Sequence, residues 1–208
     1  MDSILLVFCW KGDQERFERH LPFWRKSGCF ILPVYPHNEP MTIPGLSVGR
    51  SQQFGVELID RHIYGMRLAW ECGAKNIYCT EADSICLGKA PEPYRDAVGC
   101  CLFHEPDNPR FRAKTFAHWF WSFNRDVLGA FLDAAEKDGD ARTELYADRW
   151  MSWVCEKHGI PLRDDPRVYS RNQFNYPEIM DEARLARSKG VWAMHGVKTE
   201  TQLYTLLA

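Results

Sequence analysis

An α/β fold with a mixed, mostly parallel sheet flanked by helices is the architecture this sequence predicts. Three observations carry it. The opening apolar run, Ile4 to Trp10, shows no alternation, as in a strand covered on both faces. A helix-period pattern over about 54–72 stops at Gly73 and gives way at once to a further buried-looking strand, Ile77 to Thr80. Strand and helix signals then keep alternating along the sequence, the order that builds crossover-connected sheets with ligands at the carboxyl ends of their strands.

Taken in order, the first strand ends in the turn Lys11-Gly12-Asp13, and Asp13 is a candidate N-cap for a helix over Gln14 to Lys26. Phe17, Leu21 and Trp24 share one face of that helix, and Pro22 is a point where it would kink or divide. Gly28 introduces a second strand, Cys29 to Tyr35, and the Pro- and Gly-rich stretch from Pro36 to Ser51 reads as loop. The long helix follows, with Val56, Ile59, Ile63, Met66, Leu68 and Trp70 as its apolar stripe. Further strands are expected at Val98 to Phe103 and in the aromatic run Phe116 to Phe123. Helices are expected at Arg125 to Lys137, at Tyr146 to His158 and near Pro177 to Ser188, with a late strand at Val191 to Met194. No internal repeat or linker divides the 208 residues, so one domain is expected.

Composition narrows the function classes. A net charge of −2 gives no electrostatic footprint for nucleic acid. Eight Cys occur without a single C-x-x-C pair, which fits neither a zinc site nor a disulfide scaffold and points to reduced, buried thiols. No apolar run reaches membrane-spanning length, and Ser3 to Cys9 lacks the flanks of a signal peptide. The expectation is a cytoplasmic chain without membrane insertion.

The residues that carry chemistry start where the buried-looking strand Ile77 to Thr80 ends, at Glu81-Ala82-Asp83. On an extended backbone, two acids separated by one residue point to the same side. Like charges held that close repel, so such a pair serves to grip a cation or a proton; its bland counterpart is a solvated turn. Hard divalent ions, Mn²⁺ or Mg²⁺, take carboxylate oxygens and keep positions open for substrate phosphates. The late segment Trp192-Ala193-Met194-His195-Gly196-Val197-Lys198 adds an imidazole, a glycine that lets backbone approach phosphate, and a cation. Asp148, in Tyr146-Ala147-Asp148-Arg149, is by residue type a candidate helix N-cap. His118, Trp119 and Trp121 offer aromatic faces for a sugar or base, or else form a buried aromatic strand.

This order of elements and motifs resembles the GT-A, Rossmann-like glycosyltransferase fold over nearly the whole chain. Glu81-Ala82-Asp83 stands where that family has its D-x-D motif, with Glu in place of the first Asp. His195, Gly196 and Lys198 are similar to the family's late metal-binding His and its diphosphate-contacting Gly and Lys. Asp148 lies in a segment similar to the family's x-E-D, departing at Ala147, and no glycine occurs in the Phe116 to Arg125 segment where the family has a glycine-rich loop. The resemblance implies metal ligands Glu81, Asp83 and His195. It further implies donor contacts from Trp10, Lys11, Glu81, Gly196 and Lys198, and an acceptor side at His118, Trp119 and Trp121. A donor-binding half at about 1–103 and an acceptor half at about 104–208 would follow.

The implied activity is transfer of a sugar from a nucleoside-diphosphate sugar, UDP preferred, to an acceptor hydroxyl, with inversion preferred and Asp148 as general base rather than helix cap, Glu144 in reserve. The acceptor would be a glycan, a protein or, as for some viral enzymes acting in host cytoplasm, a hydroxymethylated DNA base. A nucleotidyltransferase is the rival enzyme, though the turn Lys11-Gly12-Asp13 lacks its Gly-rich phosphate loop. A non-catalytic nucleotide- or carbohydrate-binding module is the rival outside enzymes. Arg50, Arg61 and Arg67 are further candidates on the nucleotide side, although a lone Arg near a loop or helix is usually a surface charge.

Overall fold

The computed structural model describes residues 2–10, 12–38, 41–49, 55–104, 115–139, 146–170 and 188–196, apart from the side chains of residues 104, 116, 118 and 170. Its frame is a seven-stranded sheet. The central strand β1 (Ser3–Phe8) pairs in parallel with β2 (Phe30–Tyr35) on one side and with β4 (Asn76–Glu81) on the other. The two-residue β3 (Leu46–Ser47) extends the sheet beyond β2, also in parallel. Beyond β4 come β7 (Thr115–Asn124) and β6 (Val98–His104), each antiparallel to its inner neighbour, and then β8 (Leu162–Asp164), parallel to β6. The order is β3-β2-β1-β4-β7-β6-β8, a mixed and mostly parallel α/β sheet.

The continuous apolar run of β1 has a simple cause: both faces of the sheet are covered. Ile4, Leu6 and Phe8 point to one side, where they join Ile59, Ile63 and Met66 of helix α2 (Val56–Glu71). The same core takes Leu128 and Phe131 of α3 (Arg125–Lys137) and Trp150 and Val154 of α4 (Ala147–Lys157). Leu5, Val7 and Cys9 point the other way, into a second cluster with Phe17 and Trp24 of α1 (Asp13–Trp24) and with Trp119, Phe120 and Trp192. This is the period-two alternation of a strand, hidden from the sequence because each side is equally apolar. Among the described residues, no helix is long and apolar enough to cross a membrane.

The second cluster is closed by a three-stranded sheet that the alternation of elements did not reveal. In it β10 (Ala193–His195) lies between β5 (Ser84–Cys86), to which it is antiparallel, and β9 (Val168–Ser170), to which it is parallel. Helix α1 holds β5 in place. His20 Nδ1 and Trp24 Nε1 both donate to the Ser84 carbonyl, at 2.9 and 3.0 Å. The Ser84 hydroxyl in turn accepts from Thr80 Oγ1 and donates to the Glu81 carbonyl, so the turn between β4 and β5 is tied at several points.

Several expected boundaries shift. Asp13 does not cap α1: Gly12, at φ +79°, is the N-cap, and Asp13 is the first helical residue. Its carboxylate accepts instead from the Trp10 N–H at 2.7 Å and pairs with Arg16, closing the turn from β1 into α1. The left-handed φ at position 12 is what Gly supplies there without steric cost. Helix α1 runs two residues past Pro22 before a 3₁₀ turn, Arg25–Ser27, so Pro22 neither divides nor ends it. Cys9, Cys79, Cys86, Cys100 and Cys155 are buried free thiols; Cys72 is exposed. Most of the helix expected near Pro177 to Ser188 lies outside the described residues, as does position 50. Arg61, read as a surface charge, is fully buried with its guanidinium over the Trp10 ring, whereas Arg67 does pair at the surface with Glu136.

His20 gives the fold a pH dependence of definite sign. It is about 1% exposed, and burial depresses its pKa from 6.5 to about 4, outweighing the bond to Ser84. The unfolded chain therefore binds a proton that the native state refuses between those values, and stability falls as pH drops through that window. Denaturant titrations should show a loss of about 2 kcal/mol between pH 6.5 and 5 from this residue. That portion should vanish in His20→Phe; an unchanged pH dependence would mean His20 is free to protonate in the folded chain.

Candidate functional site

The carboxyl ends of β1 and β4 are register partners at Phe8 and Glu81, and a cavity of about 370 Å³ opens there. Its wall includes Phe8, Trp10, Asp13 and Arg16 from the first strand and helix, and Leu58 and His62 from α2. Glu81, Ala82 and Asp83 form its floor, and Trp119, Trp121, Tyr146, Asp148 and His195 come from the later part of the chain. Residues more than a hundred positions apart thus meet at one sheet edge.

Three of them form a tight donor cluster. His195 Nε2 lies 3.0 Å from Asp83 Oδ1 and 3.3 Å from Glu81 Oε2, and one ligand atom from each residue falls within 4.8 Å of the others. The convergence is not produced by an extended Glu-x-Asp: Glu81 ends β4, while Ala82 and Asp83 form a turn into β5. The β5–β10 pairing then places His195 opposite Ser84, one residue from Asp83. Gly196, directly after His195, has a φ of +84°, in the left-handed region.

The cluster suits a hard divalent cation. Two carboxylates and one imidazole are a mixed oxygen–nitrogen set, and neighbouring ligands on an octahedral ion with bonds of roughly 2.1 Å stand about 3 Å apart. The nitrogen–oxygen separations here have that spacing. In the metal-free chain a proton fills the same role. Burial alone would depress the His195 pKa, but the Asp83 and Glu81 carboxylates outweigh it and raise the value to about 9.

A second layer fixes the imidazole. Trp119 stacks on His195 with ring centroids 4.9 Å apart and planes 12° from parallel. Its position needs an irregular strand: Cys100 pairs with Trp121 and the adjacent Cys101 with His118, leaving Trp119 and Phe120 as an insertion in β7. Trp119 itself adopts φ +39°, among the described residues the one non-glycine value in the left-handed region. Bulky side chains avoid that conformation, and such strain gathers where a side chain must be aimed. Trp119 and Trp121 are thus buried in the strand, as the second of the two expectations had it, and they also line the cavity.

Asp148 faces the cavity from the first turn of α4. It is not the helix cap, since that position is Tyr146. Ser152 Oγ donates to the Asp148 carbonyl at 2.6 Å and accepts from the Ala117 N–H at 3.0 Å, fastening this turn to β7. Burial first, and the Glu81 carboxylate second, raise the Asp148 pKa to about 7, although the Arg149 N–H bonds its carboxylate at 2.9 Å. A carboxyl group poised there can gain or lose a proton near neutrality, the property a general base needs.

Of the other residues singled out from the sequence, Trp10 lines the cavity and Gly196 follows the donor cluster. Lys11, Lys198 and Glu144 lie outside the described residues, as does the side chain of His118. Sequence reasoning gave Asp13 and Tyr146 other roles and passed over Arg16 and His62. Asp13 and Arg16 border a strand-to-helix turn at the carboxyl edge and could have been flagged on that ground. His62 carries no such signal, being one polar position within an amphipathic helix.

A scan against protein-family models finds none that matches this chain, and a search of curated proteins likewise returns no match. The site has to be read from its own chemistry.

Metal binding must displace the proton on His195. Calorimetric titration with Mn²⁺ should therefore show affinity rising with pH up to about 9, approaching tenfold per unit for one released proton. Asp83→Ala should remove most of the affinity. Binding that is indifferent both to pH and to this substitution would place the ion elsewhere.

Proposed function

We propose that this chain is a metal-dependent glycosyltransferase that takes its sugar from a nucleoside diphosphate, with UDP the preferred nucleotide. The observation that carries this reading is the meeting of a carboxylate–imidazole donor set and a near-neutral Asp148 in one cavity at the carboxyl edge of the parallel strands. An inverting transfer from a diphosphate to a hydroxyl uses both parts, the cation against the leaving group and the carboxylate for the incoming hydroxyl.

Glu81, Asp83 and His195 would hold Mn²⁺ or Mg²⁺, which supplies positive charge against the departing diphosphate. Trp10, with Arg61 beneath its ring, offers a firm aromatic face for the nucleotide, and Arg16 adds a cation at the same rim. The first half of the chain thus supplies most donor-side contacts. On the other side Trp121, Tyr146 and Asp148 border the space left for the acceptor. Asp148 would remove the acceptor hydroxyl's proton as that oxygen bonds to the anomeric carbon and the bond to the diphosphate oxygen breaks. A base on the acceptor side favours inversion. Neutralising Glu81 with a cation removes one of the two influences that raise the Asp148 pKa, so the loaded enzyme would carry an ionised base at neutral pH. The acceptor is a hydroxyl of a glycan, a protein or a hydroxymethylated base.

Two experiments test this. A thermal-shift panel of UDP, GDP, CMP and TDP species with Mn²⁺ should give one clear responder, abolished by EDTA. Ligand at a hundred times its dissociation constant contributes about 2.7 kcal/mol. In a chain of this size that raises Tm by about 5–10 °C. Silence from every nucleotide would remove the reading's main support.

In the second, hydrolysis of the responding sugar nucleotide provides a turnover assay without a known acceptor. Asp148→Asn should leave nucleotide binding intact and lower turnover by roughly 10²–10⁴-fold. In the native enzyme the rate should rise with pH to a plateau at or below about 7. Full turnover in Asp148→Asn would exclude it as the base.

A further inference from the structure

His62 lines the cavity although none of the roles above uses it. Its ring lies against Phe8 with centroids 3.8 Å apart and planes 17° from parallel, so it cannot swing without losing that stack. Nδ1 lies 2.9 Å from the Leu58 carbonyl, one helical turn back on α2. A carbonyl oxygen only accepts, so Nδ1 must carry the proton of the neutral ring. Nε2 is then a bare lone pair. The Leu58 carbonyl is the ring's hydrogen-bond partner among the described residues, Nε2 is not sealed inside the protein, and the residue lines the cavity.

We propose that His62 Nε2 accepts a hydrogen bond from a sugar hydroxyl in this cavity, making it a specificity-determining residue for a hydroxylated ligand. The choice of a sugar hydroxyl rests on the transferase reading; the acceptor itself rests on geometry alone. The alternatives fare worse. A phosphate or carboxylate oxygen has no proton to offer a lone pair, and a carbonyl has none either. Among the groups of an organic ligand, an O–H or N–H donor satisfies it, and a site built to bond one hydroxyl discriminates strongly against its absence.

The chemical state supports this. Burial holds the His62 pKa down to about 4, outweighing the bond to Leu58 and the nearby Glu81 carboxylate, which both act to raise it. The ring therefore stays neutral at working pH, and its Nε2 remains an acceptor rather than switching to a donor. His62 and Asp148 line the same cavity.

The test is heteronuclear NMR of the histidine-labelled full chain with Mg²⁺, titrated separately with D-glucose, D-galactose and glycerol. In the free protein, His62 should show a protonated Nδ1 and an unprotonated Nε2 across neutral pH. At least one polyol should move the Nε2 resonance upfield, as a newly bonded lone pair does. Gln keeps an acceptor oxygen near the same place, so His62→Gln should retain that ligand, whereas His62→Phe keeps the stack and should weaken it roughly tenfold.

A protonated Nε2 in the free chain, or a resonance that none of the three polyols moves, would overturn the inference. If His62→Phe does not fold, the wild-type titration decides alone. A polyol response without any nucleotide or Mn²⁺ binding would support the inference while refuting the transferase reading, leaving a carbohydrate-binding site.

Discussion

Two carboxylates held together at a sheet edge demand a positive partner, and the architecture around Glu81 and Asp83 can be understood as the means of supplying one. The supply line is the antiparallel pairing of β5 with β10, which sets His195 opposite Ser84. Ser84 is also the point at which His20, Trp24, Thr80 and the Glu81 carbonyl converge. Remove the register of that short sheet and the imidazole no longer sits between the acids. The buried Asp83 and the half-buried Glu81 would then face each other as like charges, a costly arrangement that favours taking up a proton.

Strain and enclosure complete the device. The inserted pair in β7 and the left-handed backbone of Trp119 bring an indole over the imidazole, and Ser152 ties Asp148 to the same strand. The result is a set of groups that depend on one another electrostatically. Glu81 raises the pKa of both His195 and Asp148, so a cation arriving at the cluster changes the protonation of each. Cation binding at this cluster would therefore be linked to the Asp148 proton through Glu81.

The parts of this that were legible in the sequence share a property: their signals are local. The apolar run of β1, the stop at Gly73 and the acid-x-acid after β4 depend on neighbours in the chain, and each element is present. Asp83 and His195 were singled out by residue type and by a family resemblance, and in the structure they stand together. What was hidden depends on long-range pairing. The three-stranded sheet joins residues 84–86, 168–170 and 193–195, and its strands are too short to leave a periodic signal. The tie from Asp13 back to Trp10 was mistaken for a cap because an acid beside Gly at a helix start fits either role. Arg61 looked like a surface charge because a lone Arg usually is, and only the tertiary structure sets it over Trp10. His62 was invisible for the same reason.

The central claim is that one ion replaces the proton among Glu81, Asp83 and His195 and meets a diphosphate there. Pulsed electron paramagnetic resonance of the Mn²⁺-loaded chain measures this directly. The account predicts a nitrogen coupling from the imidazole, lost in His195→Ala, and a phosphorus coupling that appears when UDP is added. A Mn²⁺ spectrum without the nitrogen coupling, or one that UDP leaves unchanged, would contradict it.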